Sequence, residues 1–436
     1  MRHTLFVALA VIAAAPALRA QATSAVRVDL PVVDAPYVST SGLRAPSMAQ
    51  SLGITETFYE VTHPAIQRAF GSHTKLANTA LVLFDTFGAT LPAADAWLHE
   101  EFHRAVLGNQ RISSFDDIYK MNLLASTVAV SHVTDEDLIR LKSTHPIDEV
   151  RAAAAGIEGE NVLMLGLEKK RFFQGSRANH IPLYWLTKIN SWMYVASGTT
   201  SENDSLTDEM NAQDGTNVAA RDWVGHDFSA WVYDLHRPAE AYAARGTHPS
   251  GVGIDRYVAA RTLSDEERSF LAREGRLQMI NFLDPNLFGV DGFTVRSMRL
   301  NVNASHYLTS FGHSIDLNVF VKQDDANLLV SMHRYTNGAR SFPGVEAQLL
   351  DVPLALAGMN LDMSPRVALW MQPDAQAFRT TDAKAGALAS LRIGHVSASR
   401  FGSFVELEAK TEGWVAGNVN LDRNFSVRVG TSLRVN

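Results

Sequence analysis

The residues 97–104 read WLHEEFHR and contain two histidines that are four positions apart, with a glutamate directly after the first. In a helix, residues four apart lie on one face, so the imidazoles of His99 and His103 can reach the same metal ion. Zinc accepts imidazole nitrogen, and Glu100 would lie where it can take a proton from a water beside the ion. The spacing therefore predicts a Zn²⁺ site with His99 and His103 as ligands and Glu100 as the catalytic base.

A catalytic zinc site usually has a third protein ligand, and we expect it on a later helix. Glu158 lies between Gly156 and Gly159, which thin the helix surface and would let another helix or a metal approach closely. Because Glu158 and Glu160 are two residues apart, they point to roughly opposite sides of a helix, and only one of them can be a ligand. We favour Glu158 as the third metal ligand. Glu160 is the alternative, and Glu149 is a more remote one.

This combination makes the region 92–167 resemble the gluzincin zinc metallopeptidases. In that family a helical HExxH motif supplies two ligands and the general base, and a glutamate on a later helix completes the site. The resemblance implies that His99, His103 and Glu158 bind Zn²⁺, that Glu100 is the general base, and that the substrate is a polypeptide.

Two accessory roles have candidates by residue type or proximity alone. Carboxylates that orient zinc-binding histidines often complete such sites, and Asp95 and Glu101 are the nearest in sequence. A hydrogen-bond donor for the oxyanion is also expected. The candidates for that donor are His226, His248, Tyr184 and Tyr233.

The residues around these candidates have a helical pattern. Pro92 is suited to the first turn of a helix that would carry the HExxH motif, and Asp148 lies near the start of the helix that would carry Glu158. Thr134 and Ser264 each precede acidic residues and have the side chains that cap helix N-termini. We therefore expect a helical domain over residues 54–290.

The pattern changes to a period of two from residue 294 onward. The clearest example has apolar residues at 315, 317, 319 and 321 alternating with polar ones, and Phe320 is the single apolar residue on the polar side. We count about eight such segments, which predicts an antiparallel β-domain over residues 291–436. Pro353 predicts an edge, a bulge or a break in the fourth segment. The expected fold class is α+β.

Alternation alone does not distinguish a small outer-membrane barrel from a soluble β-sandwich. The segments are about 10–14 residues long, the reach of a tilted transmembrane strand, and about eight strands make the smallest closed barrel. The chain also resembles bacterial outer-membrane barrels in finishing on a regular strand, although Asn436 is not the aromatic residue with which those barrels end. We favour the barrel, with a soluble sheet as the alternative.

The N-terminal residues indicate export. A positively charged start precedes an apolar run over residues 5–15, and Ala20 and Ala22 form the small-x-small pattern of a cleavage site. We expect a signal peptide over residues 1–22, followed by an extended lead-in over residues 23–53. The bacterial periplasm or the outer membrane is the expected location.

Composition excludes several classes of site. The chain of 436 residues has no cysteine, which excludes disulfides, cysteine–zinc sites, iron–sulfur clusters and thiol nucleophiles. Its net charge of −7 disfavours nucleic acid as a partner. Hydrophobic residues make up 46% and charged residues 19%, which is typical of a globular chain rather than a disordered one.

The expected function is therefore a zinc metallopeptidase of the periplasm or outer membrane, with outer-membrane lipid contacting the β-domain. The alternative is a non-catalytic outer-membrane protein whose helical part is a scaffold or binds a partner. The sequence does not indicate the oligomeric state.

Overall fold

The computed structural model describes residues 26–37, 45–120, 128–356, 359–395 and 400–435. The predicted signal peptide over residues 1–22 lies outside these ranges. Within them, nine α-helices occur: α1 (Met48–Phe70), α2 (Thr74–Phe87), α3 (Asp95–Asn109), α4 (Asp135–Thr144), α5 (Pro146–Lys169), α6 (Ile181–Ser197), α7 (Ser201–Gln213), α8 (Asp227–His236) and α9 (Asp265–Leu277). None of the helices in the described ranges is long and apolar enough to cross a membrane.

Thirteen strands accompany the helices in the described ranges. They are β1 (Val26–Ala35), β2 (Phe115–Asp116), β3 (Val130–Ser131), β4 (Phe293–Val295), β5 (Met298–Thr309), β6 (Gly312–Gln323), β7 (Ala326–Thr336), β8 (Ser341–Leu350), β9 (Val352–Leu356), β10 (Met359–Pro373), β11 (Ala383–His395), β12 (Phe401–Lys410) and β13 (Asn424–Val435). The helices precede every strand of the large sheet except β1, and the sheet is antiparallel, so the predicted α+β class is confirmed.

Side-chain caps fix where several helices begin. The Thr134 hydroxyl accepts a hydrogen bond from the Asp137 backbone N–H, and Ser264 forms a reciprocal capping box with Glu267, as the sequence predicts for both positions. Pro92 is not within a helix, because α3 begins three residues later, after Ala93 adopts a positive φ of 76°.

The large sheet has eleven strands, more than the eight or so that the sequence predicts. Its order is β1-β13-β12-β11-β10-β8-β7-β6-β5-β4, and β9 pairs with β10 beside β8. One reason for the difference is that the fourth segment breaks at Asp351, where φ is +56°, so that β8 and β9 are separate strands. This break lies next to Pro353, where the sequence predicts an edge, a bulge or a break.

The predicted lead-in over residues 23–53 contains a strand and the start of a helix. β1 pairs along its length with β13, and Val26 lies opposite Val435. α1 begins at Met48, so the helical region starts before residue 54. The N-terminal strand is therefore part of the C-terminal sheet, and the two predicted domains share an element.

The sheet turns its polar face inward and its apolar face outward. On β6, Asp316 and Asn318 are 5% and 1% exposed, whereas Leu317 between them is 40% exposed. The same alternation holds on β12, where Glu408 is 3% exposed and its neighbour Leu407 is 44% exposed. A soluble sheet usually has the reverse arrangement, with apolar residues against the core.

The outward apolar residues recur on neighbouring strands. The exposed ones include Leu317, Met332, Val367, Leu369, Leu391, Ile393, Val405, Leu407, Phe425 and Val429. They lie on β6, β7, β10, β11, β12 and β13, which are six of seven consecutive strands in the sheet, with β8 between β7 and β10. We call this set the apolar outer face.

The inward face packs against α5, the central helix of the molecule. Residues 149–161 of α5 are all buried. On the sheet side, the Trp414 indole donates to Glu158, and Asn161 Nδ2 donates to the carbonyl oxygen of His306 on β5. On the opposite side α5 packs against α3, the helix that carries the HExxH motif. The site is thus positioned by a helix that is itself fixed by the sheet.

Candidate metal centre

The two histidines of the motif lie one turn apart on α3, and both are buried. Their ring centroids are 4.8 Å apart, and their side chains are 9% and 1% exposed. The helical prediction for this segment is confirmed, and so is the placement of His99 and His103 on a common face.

Each imidazole is held at its Nδ1 atom by a group on α5. His103 Nδ1 donates to the carbonyl oxygen of Ala152 at 2.6 Å, and His99 Nδ1 lies 2.8 Å from Glu160 Oε1. Glu160 also accepts a hydrogen bond from the Ser191 hydroxyl of α6. Such outer contacts are typical of metal-binding histidines, because they fix the ring and leave Nε2 available as the ligand atom.

The two Nε2 atoms converge on Asp227, the first residue of α8. Asp227 Oδ2 lies 3.1 Å from His99 Nε2 and 3.3 Å from His103 Nε2. One donor atom from each of the three residues lies within 4.8 Å of the other two. A tetrahedral zinc ion with bonds of about 2.0–2.1 Å keeps its ligand atoms about 3.3–3.4 Å apart. The separations between Asp227 and each histidine are therefore close to those between the ligands of one zinc ion, and three protein ligands would leave the fourth position to water or substrate.

The hydrogen bonding also calls for a cation between these atoms. A carbonyl oxygen can only accept, so His103 Nδ1 carries hydrogen, and in a neutral ring Nε2 then presents a lone pair. That atom is buried and has no hydrogen-bond partner among the described residues, although a carboxylate oxygen is 3.3 Å away. Two facing lone pairs repel each other unless a proton or a metal ion lies between them. A single divalent ion would satisfy all three donor atoms together.

The contact between the histidines and Asp227 also shifts the pKa values of His99 and Asp227. Burial alone would lower the pKa of His99, but its contacts with Asp227 and Glu160 outweigh burial and hold that pKa well above its usual range. Burial alone would raise the pKa of Asp227, but the two histidines outweigh burial and hold it well below its usual range. The site thus favours a carboxylate beside positive charge.

Glu100 lies at the edge of this cluster and is partly exposed. Burial raises the pKa of its carboxyl group to about 8, although the charges of His99 and His103 act to lower it. A carboxyl group with such a pKa can accept and return a proton near neutral pH.

Glu158, the predicted third ligand, is not brought to the two histidines. Its carboxylate accepts hydrogen bonds from Arg151 at 2.8 Å, from the Trp414 indole at 3.3 Å and from the Gly417 backbone N–H at 2.8 Å. These partners lie on the side of α5 that faces the sheet. Glu158 balances the buried charge of Arg151. Asp227, and not Glu158, lies beside the two histidines where the sequence predicts the third ligand.

The two alternatives have other positions. Glu160 points at His99, but it contacts Nδ1 and so acts as an orienting group. Glu149 lies 3.4 Å from Lys142 and 3.8 Å from Arg245, in a buried ion-pair cluster. In the described residues, neither belongs to the group whose atoms converge with the two Nε2 atoms.

Gly156 and Gly159 of α5 have the role that the sequence predicts. A Cβ atom on Gly156 would lie 2.2 Å from His99 Nε2, and one on Gly159 would lie 2.8 Å from Phe102. Only glycine therefore allows α3 to approach α5 so closely. Because residues four apart share a helix face, Gly156 marks the face of Ala152 and Glu160, not that of Glu158.

The accessory candidates are mostly engaged elsewhere. Asp95 accepts from Tyr59 and Thr187, and Glu101 pairs with Arg104 at 2.5 Å, so the histidines are oriented by other groups. The proposed oxyanion donors lie in different places, and His226, the residue before Asp227, is the one beside the site, with its ring centroid 4.6 Å from that of Tyr194. His248 contacts Ser250, Tyr233 donates to Glu240, Tyr184 is buried among other residues, and His226 Nε2 lies 3.0 Å from Ser197 Oγ.

Tyr194 is a neighbour of the site that sequence reasoning missed. Its ring centroid is 6.1 Å from that of His99, and its phenol oxygen accepts from the backbone N–H of Asp227 at 3.4 Å. It lies on α6 two turns after Thr187, in a segment whose aromatic residues indicate only a buried helix. No sequence signal separates Tyr194 from the other aromatics of that helix.

Comparisons with protein families, with characterised proteins and with solved structures gave no match. The assignment of a function therefore depends on the geometry of the site.

Proposed function

We propose that this chain is a zinc-dependent hydrolase that acts on peptide bonds, with His99, His103 and Asp227 as metal ligands and Glu100 as the proton acceptor. The observation that carries the proposal is the convergence of three buried donor atoms, with Asp227 Oδ2 at 3.1 and 3.3 Å from the two histidine nitrogens, close to the separation of ligands on one tetrahedral ion. The peptide substrate follows from the HExxH motif and its resemblance to metallopeptidases.

The residues of the chain have distinct tasks in this proposal. Zinc, when bound, supplies a Lewis acid that polarises the substrate carbonyl and lowers the pKa of water. Glu100 accepts a proton from the attacking water and returns it to the leaving amine. Glu160 and the Ala152 carbonyl keep the two imidazoles oriented. Tyr194 is the nearest phenol and is our candidate for the oxyanion donor.

Zinc content measured on the purified full-length chain tests the metal assignment. We expect the His99→Gln/His103→Gln variant to lose one zinc equivalent relative to wild type, and Glu158→Gln to lose none. Hydrolysis of a mixed casein-derived peptide substrate tests the activity, with Glu100→Gln as the inactive variant that keeps its metal. If the double-histidine variant keeps the zinc content and the activity of wild type, the proposal is contradicted. A scaffold or partner-binding role would then be favoured.

We further propose that the sheet lies in an outer membrane, as a barrel whose apolar outer face contacts lipid. The support is the inverted arrangement of the sheet, in which charged residues are inside and the apolar outer face is exposed. Aliphatic residues exposed on strand after strand mark a surface that meets another apolar phase. The enzyme would then act at the membrane surface.

One substitution on the outer face separates a membrane sheet from a soluble one. Arginine on a lipid-facing strand costs about 2–4 kcal/mol near the bilayer midplane. We therefore expect Leu407→Arg to lower the urea midpoint of the chain folded into phosphatidylcholine vesicles. Leu76→Arg is the matched control, because Leu76 is a leucine of α2 that is 56% exposed. Equal midpoints for the two variants, or a wild type that folds fully without lipid or detergent, would refute the membrane location.

A further inference from the structure

A second cluster of metal-binding residue types lies away from the HExxH motif. It consists of Glu274 on α9 and of His306 and His313 on the hairpin of β5 and β6. All three are buried, with exposures of 0%, 0% and 5%. The proposed hydrolase site does not use any of them.

The donor atoms of this cluster are spaced similarly to those of the first site. Glu274 Oε2 lies 3.1 Å from His306 Nε2 and 2.9 Å from His313 Nδ1. The two imidazole centroids are 5.1 Å apart. One atom of each residue lies within 4.8 Å of the other two. Ligands of one tetrahedral zinc ion would be about 3.3–3.4 Å apart, so the cluster is slightly contracted around the place of an ion.

The two histidines do not meet Glu274 in the same way. His306 Nε2 makes a hydrogen bond with Glu274 Oε2 at 3.1 Å, whereas His313 Nδ1, 2.9 Å from the same oxygen, makes no aligned hydrogen bond with it or with any other described residue. A single ion among the three atoms would give His313 Nδ1 the partner that it lacks. Of the two other ring nitrogens of the cluster, His306 Nδ1 is also buried without a hydrogen-bond partner among the described residues.

Neighbouring groups hold the Glu274 carboxylate and the backbone of His306 in place. Arg273 donates to the other carboxylate oxygen, Glu274 Oε1, at 3.0 Å, which leaves Oε2 to the two histidines. The backbone N–H of His306 donates to Asn281 Oδ1 at 2.6 Å, and its carbonyl oxygen accepts from Asn161 Nδ2 at 3.2 Å. Asn161 follows Glu160 on α5, so the central helix supports both clusters.

We propose that Glu274, His306 and His313 bind a second divalent cation of the zinc class, which ties α9 to the β5–β6 hairpin. Two imidazole nitrogens and one carboxylate oxygen are donors that zinc accepts. Because the ligands come from a helix and from two strands of the sheet, the ion would fasten the helical layer to the sheet. This role is structural and does not depend on the proposed hydrolase function.

Zinc stoichiometry in four forms of the full-length chain tests the proposal. The forms are wild type, His99→Gln/His103→Gln, His306→Gln/His313→Gln and the combination of all four substitutions. Each is stripped with a chelator, titrated with ZnCl₂ alone and dialysed, and its zinc is then measured. We expect about two equivalents in wild type, about one in each double variant and none in the combined variant.

His333→Gln is the matched control. His333 on β7 has a carboxylate partner too, with Nδ1 2.9 Å from Asp316 Oδ1, but in the described residues it belongs to no cluster of three donors. We expect this variant to bind as much zinc as wild type. Equal zinc loss in His333→Gln and in the His306/His313 variant would show a general effect of disturbing the sheet and would overturn the proposal.

A further measurement leaves the second cluster unaltered, so that misfolding of the His306→Gln/His313→Gln variant does not affect its result. In the His99→Gln/His103→Gln chain, which retains the second cluster, one equivalent of ZnCl₂ should raise the melting temperature, and Co²⁺ should give the visible absorption of a low-coordinate site. If this chain binds no zinc, the proposal is overturned, whether or not wild type binds one equivalent. If zinc remains there but wild-type activity is absent, the proposed hydrolase fails and the second site stands.

Discussion

The substitution Gly156→Ala would place a methyl group inside the candidate metal centre. The added Cβ would lie 2.2 Å from His99 Nε2, 2.3 Å from Cδ2 and 2.4 Å from Cε1. An ordinary contact starts at 3.4 Å, so the ring must retreat by about 1.2 Å (3.4 − 2.2). Zinc sites tolerate errors of only about 0.2 Å in ligand distance. We therefore expect Gly156→Ala to lose the zinc bound by His99, His103 and Asp227.

The effect on folding should be much smaller than the effect on metal binding. Overpacking a filled core costs about 1–3 kcal/mol, and replacing a helical glycine with alanine recovers about 1 kcal/mol. The free energy of unfolding of the metal-free chain should thus fall by about 0–2 kcal/mol. Urea unfolding followed by circular dichroism measures this quantity, and zinc analysis after dialysis measures the metal.

Gly159→Ala is the control on the same helix. Its Cβ would meet Phe102 Cγ at 2.8 Å, so a retreat of about 0.6 Å (3.4 − 2.8) suffices, and Phe102 is not a ligand. The gain in helix propensity is the same, and we expect wild-type zinc content. The reasoning is refuted if Gly156→Ala binds as much zinc as Gly159→Ala.

Further predictions concern the roles of single carboxyl groups. Loss of a group that only orients a ligand weakens zinc binding about 10–100-fold, and Asp227→Ala should weaken it by more because a ligand is lost. Unchanged zinc affinity in a competitive titration would remove Asp227 from the ligand set. Glu158→Ala should keep its zinc but lose about 3–5 kcal/mol of unfolding free energy, because Arg151 is left buried without its partner, and a smaller loss in urea would show that this pair matters little. Glu100→Gln should keep its zinc and lose about 10²–10⁴-fold in hydrolysis rate, so an active variant would exclude Glu100 as the base. Burial raises the pKa of Asp95 to about 7, so the folded chain binds a proton on this carboxyl group more tightly than the unfolded chain does. The stability that this proton contributes is fully present below about pH 4 and is lost as the pH rises through 7. Asp95→Asn should therefore gain about 2–3 kcal/mol relative to wild type between pH 5 and pH 8, and an unfolding difference that does not change with pH would contradict this.

Much of the strand pattern could be predicted because it depends on local alternation. The segment of β6 has its apolar residues outward and Asp316 and Asn318 inward, as period-two spacing requires. Phe320, the exception on the polar side, is buried against Phe172 and Phe173 of the helical part. The exception thus marks the place where the sheet meets helices, which periodicity alone does not reveal.

The third ligand could not be predicted in the same way. The histidines are set by a four-residue spacing within one helix, which is a local property. Asp227 follows His103 by 124 residues (227 − 103), and only the packing of α8 against α3 and α5 brings it near. The glycines of α5 did carry a usable signal, since Gly156 marks the face that contacts α3. Applied with the four-residue period, that signal selects Glu160 as the carboxylate nearest to His99 and removes Glu158.

The pairing of β1 with β13 has a consequence for how the chain reaches its final form. The Ser432 hydroxyl donates to Asp29 at 2.6 Å across a separation of 403 residues, and Arg392 joins the same carboxylate. During synthesis, β1 emerges first and must remain without its sheet neighbour until the helical part and all the other strands have been made. Contacts this distant in sequence form slowly, because the entropy of closing a long loop must be lost before the contacts contribute favourable free energy. An early strand with alternating aliphatic residues is then open to wrong pairing, so we expect a holding factor, or prompt transfer to the final environment, to determine the yield of the folded protein.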